Sequence, residues 1–414
     1  MRKCASFISI LTGSALLLSA AYADAACVPF SPYHMMTMNM SGGQPMDLTK
    51  TSATTGLKSY TLAFIIDAGS CKPAWDGAYT TASTWGKSTT DKMRANGIAY
   101  NISFGGAAGN DISKNCSVTQ LTSAYQQIIN TYQPTGLDFD IENGTAKVSN
   151  IMTALKSIKA SNPNVKLSFT LPVMPSGLVT EGKNIVTQAK SAGLNYSVNI
   201  MAMDYSSQLS GDMGQYAIQA ATSTFNYLKT LYPQYTNAQL WQMIQVTPMI
   251  GVNDVTTEIF RLPNSDTVTN FAITNGLGGL SMWSLDRDKP CGGSTPNDSC
   301  SSGNVQTQNY EFTKHFQTCS TPPVLTCLPP ANISYSVNSN KTSVTFNWSE
   351  PASSLPIVNY QINDWMNRPM WKGTNRTYTD ATLPGTSGVF KYSFYSNCSA
   401  SQSTAVPITV NALN

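Results

Sequence analysis

The sequence predicts an α/β fold, a (β/α)8 barrel, followed by a small all-β sandwich. Two observations carry that prediction. From about residue 27 to 318, a β-rich apolar segment followed by a helix-like one recurs eight times, and such alternation builds a parallel sheet with crossover helices. Beyond a Pro-rich connection the helical period vanishes and short alternating segments separated by turn residues take over, the pattern of a β-sandwich.

Taken in order, the chain opens with Arg2 and Lys3, an apolar run FISILTGSALLLSA and small residues around Ala23-Asp24-Ala25. These are the three parts of a secretory signal peptide, expected over 1–26, and they predict an exported protein, extracellular or periplasmic. Asp24 occupies the position where lipidation at Cys27 would need an aliphatic residue, so no lipid anchor is expected. No later run reaches the ~20 apolar residues of a membrane span, so the mature chain is expected to be a soluble monomer without a membrane partner.

Predicted strands lie at 30–38, 59–69, 98–106, 135–142, 165–173, 197–205, 241–251 and 278–286. Between them LTSAYQQIINTYQ, VSNIMTALKSIKAS and YAIQAATSTFNYLKTLYP space their apolar residues three or four apart, as amphipathic helices require. Eight such units over 27–318 match a TIM barrel, whose active site forms at the C-terminal ends of the strands.

A Pro-rich linker, STPPVLTCLPPANIS, is predicted around 319–330 and the sandwich over 331–414. Trp348 is expected in its core. Trp365 and Trp371 have two readings, stacking on sugar rings or packing under a loop. Cys327 and Cys398 are expected to staple this unit.

Composition narrows the chemistry. Without Cys4, which leaves with the signal peptide, eight cysteines remain, an even set suited to disulfides in an oxidising compartment, with connectivity open. No CxxC pair occurs and the only histidines are His34 and His315, so zinc and haem lack ligands, a Ser-His-Asp triad has few candidate bases, and no cofactor is expected. A net charge of +3 with 11% charged residues leaves no basic tract for nucleic acid. Carboxylates are what remains.

They are concentrated in GLDFDIE, Gly136 to Glu142. Side chains alternate along a strand, so Asp138, Asp140 and Glu142 share one side and Leu137, Phe139 and Ile141 the other. An edge strand protected by charge is the bland explanation. With only 22 Asp and Glu in 414 residues, three in one row favour a catalytic one, because clustered carboxylates raise one another's pKa. Other strand ends carry polar or aromatic residues expected to converge on the same mouth: Ser103, Gly105 and Gly106, then Met203, Asp204 and Tyr205, then Asn253 and Asp254, then Trp283 and Asp286. Trp75 is weighed as an outer subsite against loop packing. Asp254 is weighed as a sugar ligand against a helix N-cap.

GLDFDIE resembles the DGxDxDxE signature of glycoside hydrolase family 18, and SFGG resembles that family's second signature. VNIMAMDY, VTPMIGVND and LSMWSLDRDKPC are similar to a branch of its secreted bacterial chitinases, over nearly all of 27–318. The second unit resembles a fibronectin type III module. The first resemblance implies Glu142 as acid and then base, with its proton held by the charge of Asp140. The substrate's own 2-acetamido oxygen would be the nucleophile. Asp140 would orient that group and share a proton with Asp138, Tyr205 would donate to the acetamido oxygen, and Trp283 would floor the site. Met203, Asp204, Asn253, Asp254, Gly105, Gly106 and Trp75 would line it. Thr135 stands where the signature has Asp, a position expected deep in the barrel and tuning the relay. His34 is expected to be packed or on the surface.

The function so implied is a secreted chitinase acting on chitin or another polysaccharide of N-acetylglucosamine. An endo-β-N-acetylglucosaminidase acting on glycans or peptidoglycan would need the same groups. A chitin-binding lectin on the same scaffold would lack the acid, which is present here.

Overall fold

The structure, a computed structural model, describes residues 27–319, 327–351, 357–398 and 401–412. The predicted signal peptide and most of the predicted linker lie outside them. The chain divides into two compact units, 1–321 and 322–414.

In the larger unit, eight strands among the described residues run parallel, each beside its predecessor: β1 (Tyr33–Met35), β2 (Ser59–Asp67), β3 (Ala99–Gly105), β4 (Gly136–Asp140), β5 (Lys166–Met174), β6 (Ser197–Met201), β7 (Ile244–Thr247) and β8 (Gly279–Leu280). Each starts within three residues of the predicted segment's start, and several stop earlier, because polar strand ends turn away into loops. β1 pairs with β2, and just before it Ser31 N–H donates to Leu280 O of β8.

Helices fill the intervals, and the longer ones follow the apolar period. Val118–Tyr132 opens on a Ser117/Gln120 capping box and buries Leu121, Tyr125, Ile128 and Tyr132. Against that face lie the outward residues of the sheet. Phe139 of β4 stacks on Phe104 at 5.3 Å and meets Tyr125 edge-on at 5.4 Å. Leu137 and Phe139 are completely buried. Emptying such a site costs about 3–5 kcal/mol per aromatic ring, so β4 is anchored on the face opposite its carboxylates.

Eight cysteines form four disulfides, Cys27–Cys319, Cys71–Cys116, Cys291–Cys300 and Cys327–Cys398. The last lies in the smaller unit, which is all-β. There, strands Ala331–Val337, Val344–Ser349 and Thr377–Asp380 form one antiparallel sheet, and Ile357–Asn363, Pro369–Gly373, Gly388–Cys398 and Val406–Ala412 form another. Trp348 is buried between Tyr360, Trp371 and Phe394. Trp371 packs on that core, whereas Trp365 is 72% exposed.

Candidate active site

β4 carries Asp138 and Asp140 inward, and Glu142 follows two residues beyond its end. Asp138 is buried under hydroxyls. Its Oδ2 accepts from Tyr33 at 2.8 Å and Ser103 at 2.6 Å, and its Oδ1 from Ser168 at 2.6 Å and Thr170 at 2.8 Å. Behind them Asn199 donates to Thr170 at 3.0 Å and accepts from Thr247 at 2.7 Å. Burial still outweighs these bonds and raises the Asp138 pKa above the ordinary carboxylate range.

Asp140 has a different environment. Its Oδ1 is buried without a hydrogen-bond partner, and burial, then the charges of Glu142 and Asp138, push its pKa well up. Asp138, expected to share a proton with Asp140, lies close enough for its charge to act on that group, and its own two oxygens are bonded to four hydroxyls. Glu142 is solvent-accessible at the rim, and desolvation, then the carboxylates of Asp204 and Asp254, raise its pKa to about 7. Asp140 and Glu142 repel one another, since the Glu142 charge is among the causes that raise Asp140, and Asp204 and Asp254 add their charge to that expected from Asp140.

The second sequence signature has a physical explanation. Gly105 sits opposite Asp140 in the β3–β4 register with φ +93°, and a Cβ there would come 2.1 Å from the Asp140 carbonyl oxygen. Only glycine permits that approach. Ser103 of the same motif supplies one of the hydroxyls on Asp138.

A cleft of about 450 Å³ opens above β4, and its lining includes Gly105, Asp140, Glu142, Met203, Asp204, Asp254 and Trp283. Phe64 lies nearly parallel to Trp283 with ring centres 5.6 Å apart, and Tyr33 is tilted against it at 5.9 Å. Together these rings make an apolar floor beside the acidic row. No group of three or more His, Cys, Asp and Glu side chains among the described residues is arranged to hold a metal ion.

Several residues expected in this mouth are elsewhere. Tyr205 is buried outside the cleft lining, edge-on to Tyr216 at 6.1 Å. The backbone at Asp204 is left-handed, φ +51°, Met203 lines the cleft, and the Tyr205 hydroxyl is buried without a hydrogen-bond partner. Asn253 is fully buried outside the cleft lining and donates to the Met249 and Gly251 carbonyls at 2.9 and 3.1 Å, its Oδ1 having no hydrogen-bond partner. Asp254 is exposed at the cleft and caps no helix, since the next one, Leu262–Asn275, starts after Arg261. Gly106 lies behind the lining, where a Cβ would press on the Phe64 ring at 3.1 Å. Trp75 is a core residue whose Nε1 donates to Tyr132 Oη at 3.2 Å.

Thr135 is exposed at the start of β4, bonded to the Tyr100 carbonyl at 2.8 Å. An odd-numbered neighbour of Asp138 falls on the outward side, so this substitution does not touch the acidic row. Asp286 lies behind the cleft, where it accepts from Met35 N–H and Asn39 at 3.0 Å and contacts His34 Nδ1 at 3.0 Å. That buried His34–Asp286 contact tethers β1 to the segment after Trp283.

Sequence reasoning missed Tyr33, Phe64, Asp76 and Arg287. Tyr33 stands in the SPYHMM segment but is tied to the acids only across the sheet. Arg287 is completely buried and donates to Ile250 O at 3.0 Å, Val252 O at 2.6 Å and Asn297 O at 2.7 Å. It thereby fixes the loops bearing Asp254 and Asp298 beside the cleft. No local pattern announces a clamp whose partners are main-chain atoms.

No protein-family model matches the chain. It is 32% identical to the catalytic domain of a hyperthermophilic chitinase from Pyrococcus furiosus, over 70% of this chain and 95% of that one, with a TM-score of 0.64. A probable bifunctional chitinase/lysozyme of Escherichia coli is 30% identical over 308 residues, 69% of this chain. Endochitinase 11 of Metarhizium anisopliae is 30% identical over 280 residues, 63% of this chain. The chain spans 34% and 52% of the lengths of these two relatives.

Proposed function

From the premise that the chain belongs to the chitinase family of glycoside hydrolases, of the family 18 type, we propose that it is an exported chitinase cleaving β-1,4 linkages between N-acetylglucosamine units with retention of configuration. The observation that carries this is the acidic row of β4 ending in an accessible Glu142 held near pKa 7 beside the Trp283 floor.

At neutral pH a carboxyl with that pKa is poised between donating and accepting a proton. Glu142 would protonate the glycosidic oxygen as the bond breaks. The 2-acetamido oxygen of the sugar stacked on Trp283 would attack the anomeric carbon from the opposite face, making a cyclic oxazolinium and removing the need for a protein nucleophile. Asp140, whose Oδ1 has no protein partner, would take the acetamido N–H and offset the positive charge. Glu142, now a carboxylate, would draw a proton from water as it opens the ring. Asp138 stays fixed by its hydroxyls and keeps a negative or strongly polar group beneath Asp140.

We infer that the eight parallel strands close as a (β/α)8 barrel. Support comes from Ser31, which bonds to β8 immediately before β1 joins β2. The smaller unit is read as a fibronectin type III-like sandwich from its two antiparallel sheets around Trp348. Export is supported by the pairing of all eight described cysteines, as expected of an oxidising compartment. The test is direct. Early products of a soluble chitin oligomer, followed by proton NMR, are expected as the β anomer; α anomers at early times, or full activity in Glu142→Gln, would defeat the mechanism.

A further inference from the structure

The smaller unit presents an aromatic ring that its own fold does not use. Trp365 sits at the tip between strands Ile357–Asn363 and Pro369–Gly373 and is 72% exposed, with Met366 beside it at 46%. The tip is rigidly built. Asp364 Oδ1 accepts from Met366 N–H and Arg368 N–H, both at 2.9 Å, and Arg368 Nε donates to Asp364 Oδ2 at 2.7 Å. None of these bonds involves the indole, so the tip keeps its shape without it.

At the same end of these strands runs a chain of side-chain amides. Gln361 donates to Asn363 at 2.9 Å, Asn363 donates to Asn367 Oδ1 at 2.8 Å, and the Tyr395 hydroxyl donates to the same oxygen at 2.9 Å. The Asn367 carbonyl is thereby occupied from within the protein, which orients its amide group. The carboxylate of the tip is already ion-paired to Arg368 at 2.6 Å.

We propose that this tip is a carbohydrate-binding site, with Trp365 as a stacking platform and the Asn367, Gln361 and Tyr395 groups as its polar rim, for the acetamido-bearing polysaccharide that the larger unit cleaves. The identity of the polymer rests on the function proposed above. The chemistry of the site is independent of it. An indole face stacks on the C–H face of a pyranose, and amides both donate and accept, which suits hydroxyl and acetamido groups. A protein partner would need an apolar core of several hundred Å², far more than one Trp and one Met supply. One platform binds weakly, but it is covalently joined to a unit that engages the same polymer, and linkage of that kind multiplies retention without new contacts.

The experiment uses the full chain carrying Glu142→Gln, so that the polymer is not consumed, and measures partition onto insoluble chitin. Adding Trp365→Ala is expected to weaken retention roughly 3- to 10-fold, while adding Trp365→Tyr, which keeps an aromatic face, holds it near the parent. Retention unchanged by Trp365→Ala, or lowered as much by Tyr as by Ala, overturns the proposal. So does a dimer of the parent, seen by sedimentation, that Trp365→Ala abolishes, since the ring would then serve self-contact. Hydrolysis of a soluble chitin oligomer by the unaltered chain tests the larger unit's activity separately, so failure there leaves the partition result to judge this site.

Discussion

The two ends of the acidic row differ in how they treat a carboxyl. At the inner end, Asp138 is given four hydroxyl donors from β1, β3 and β5. At the outer end, Glu142 is given carboxylates instead, Asp204 and Asp254 from the ends of β6 and β7. Burial raises both, but one is held by donors that favour its anion while the other has neighbours that repel its anion. In the mechanism proposed above, the same strand would provide a fixed post and a movable proton four residues apart, and much of the difference comes from what the other strands bring.

The largest test removes the movable proton. Glu142→Gln keeps the shape of the rim and is expected to lower kcat by about 10²- to 10⁴-fold, the usual worth of general acid–base catalysis, with an unchanged circular dichroism spectrum. Full kcat in this variant would erase the distinction between the two ends.

Next, Ser103→Ala removes one donor from the inner carboxylate. A buried hydrogen bond to a charged group is worth about 1.5–3 kcal/mol, so chemical denaturation should show a loss of that size. The sign with pH follows from Asp138. Its folded pKa is already raised, and losing a donor to the anion raises it further, so its stabilising contribution is complete below the unfolded value and is lost as pH rises through the folded one. The deficit of Ser103→Ala should therefore be larger at neutral pH than in mild acid. A deficit independent of pH would mean that Ser103 acts by packing alone.

The smallest effect concerns the outer end. Glu142 must carry its proton to act as acid, so kcat/KM is expected to fall as pH rises through about 7. Asp254→Asn removes a negative neighbour, which makes ionisation of Glu142 easier and moves that basic limb to lower pH, by less than about one unit. A limb that stays in place would show that the Asp254 charge does not act on Glu142.

Period-two and helical spacing, together with turn residues, are local quantities, which is why the strands and long helices were legible. Asp138, Asp140 and Glu142 were legible for the same reason: alternation puts them on one side whatever surrounds them. The failures share a cause as well. β6 was extended to 205 from the sequence, but the strand ends at Met201 and the backbone turns left-handed at Asp204, so alternation alone does not place Tyr205. Asn253 reads as a ligand in a list of polar loop residues but is fully buried, and of the two readings of Trp75 the structure takes packing, on a short strand paired with β2 and edge-on to Tyr132. Arg287 could not be found at all, since its partners are carbonyls from positions up to 37 residues away.

By itself, then, the order of residues determined the alternation of strands and helices, the change of character near residue 320, and the row of acids on one side of β4. The tertiary structure alone decided the electrostatics of that row, because a carboxyl's proton affinity depends on burial and on charges within several ångströms, and those arrive here from residues 33 to 254.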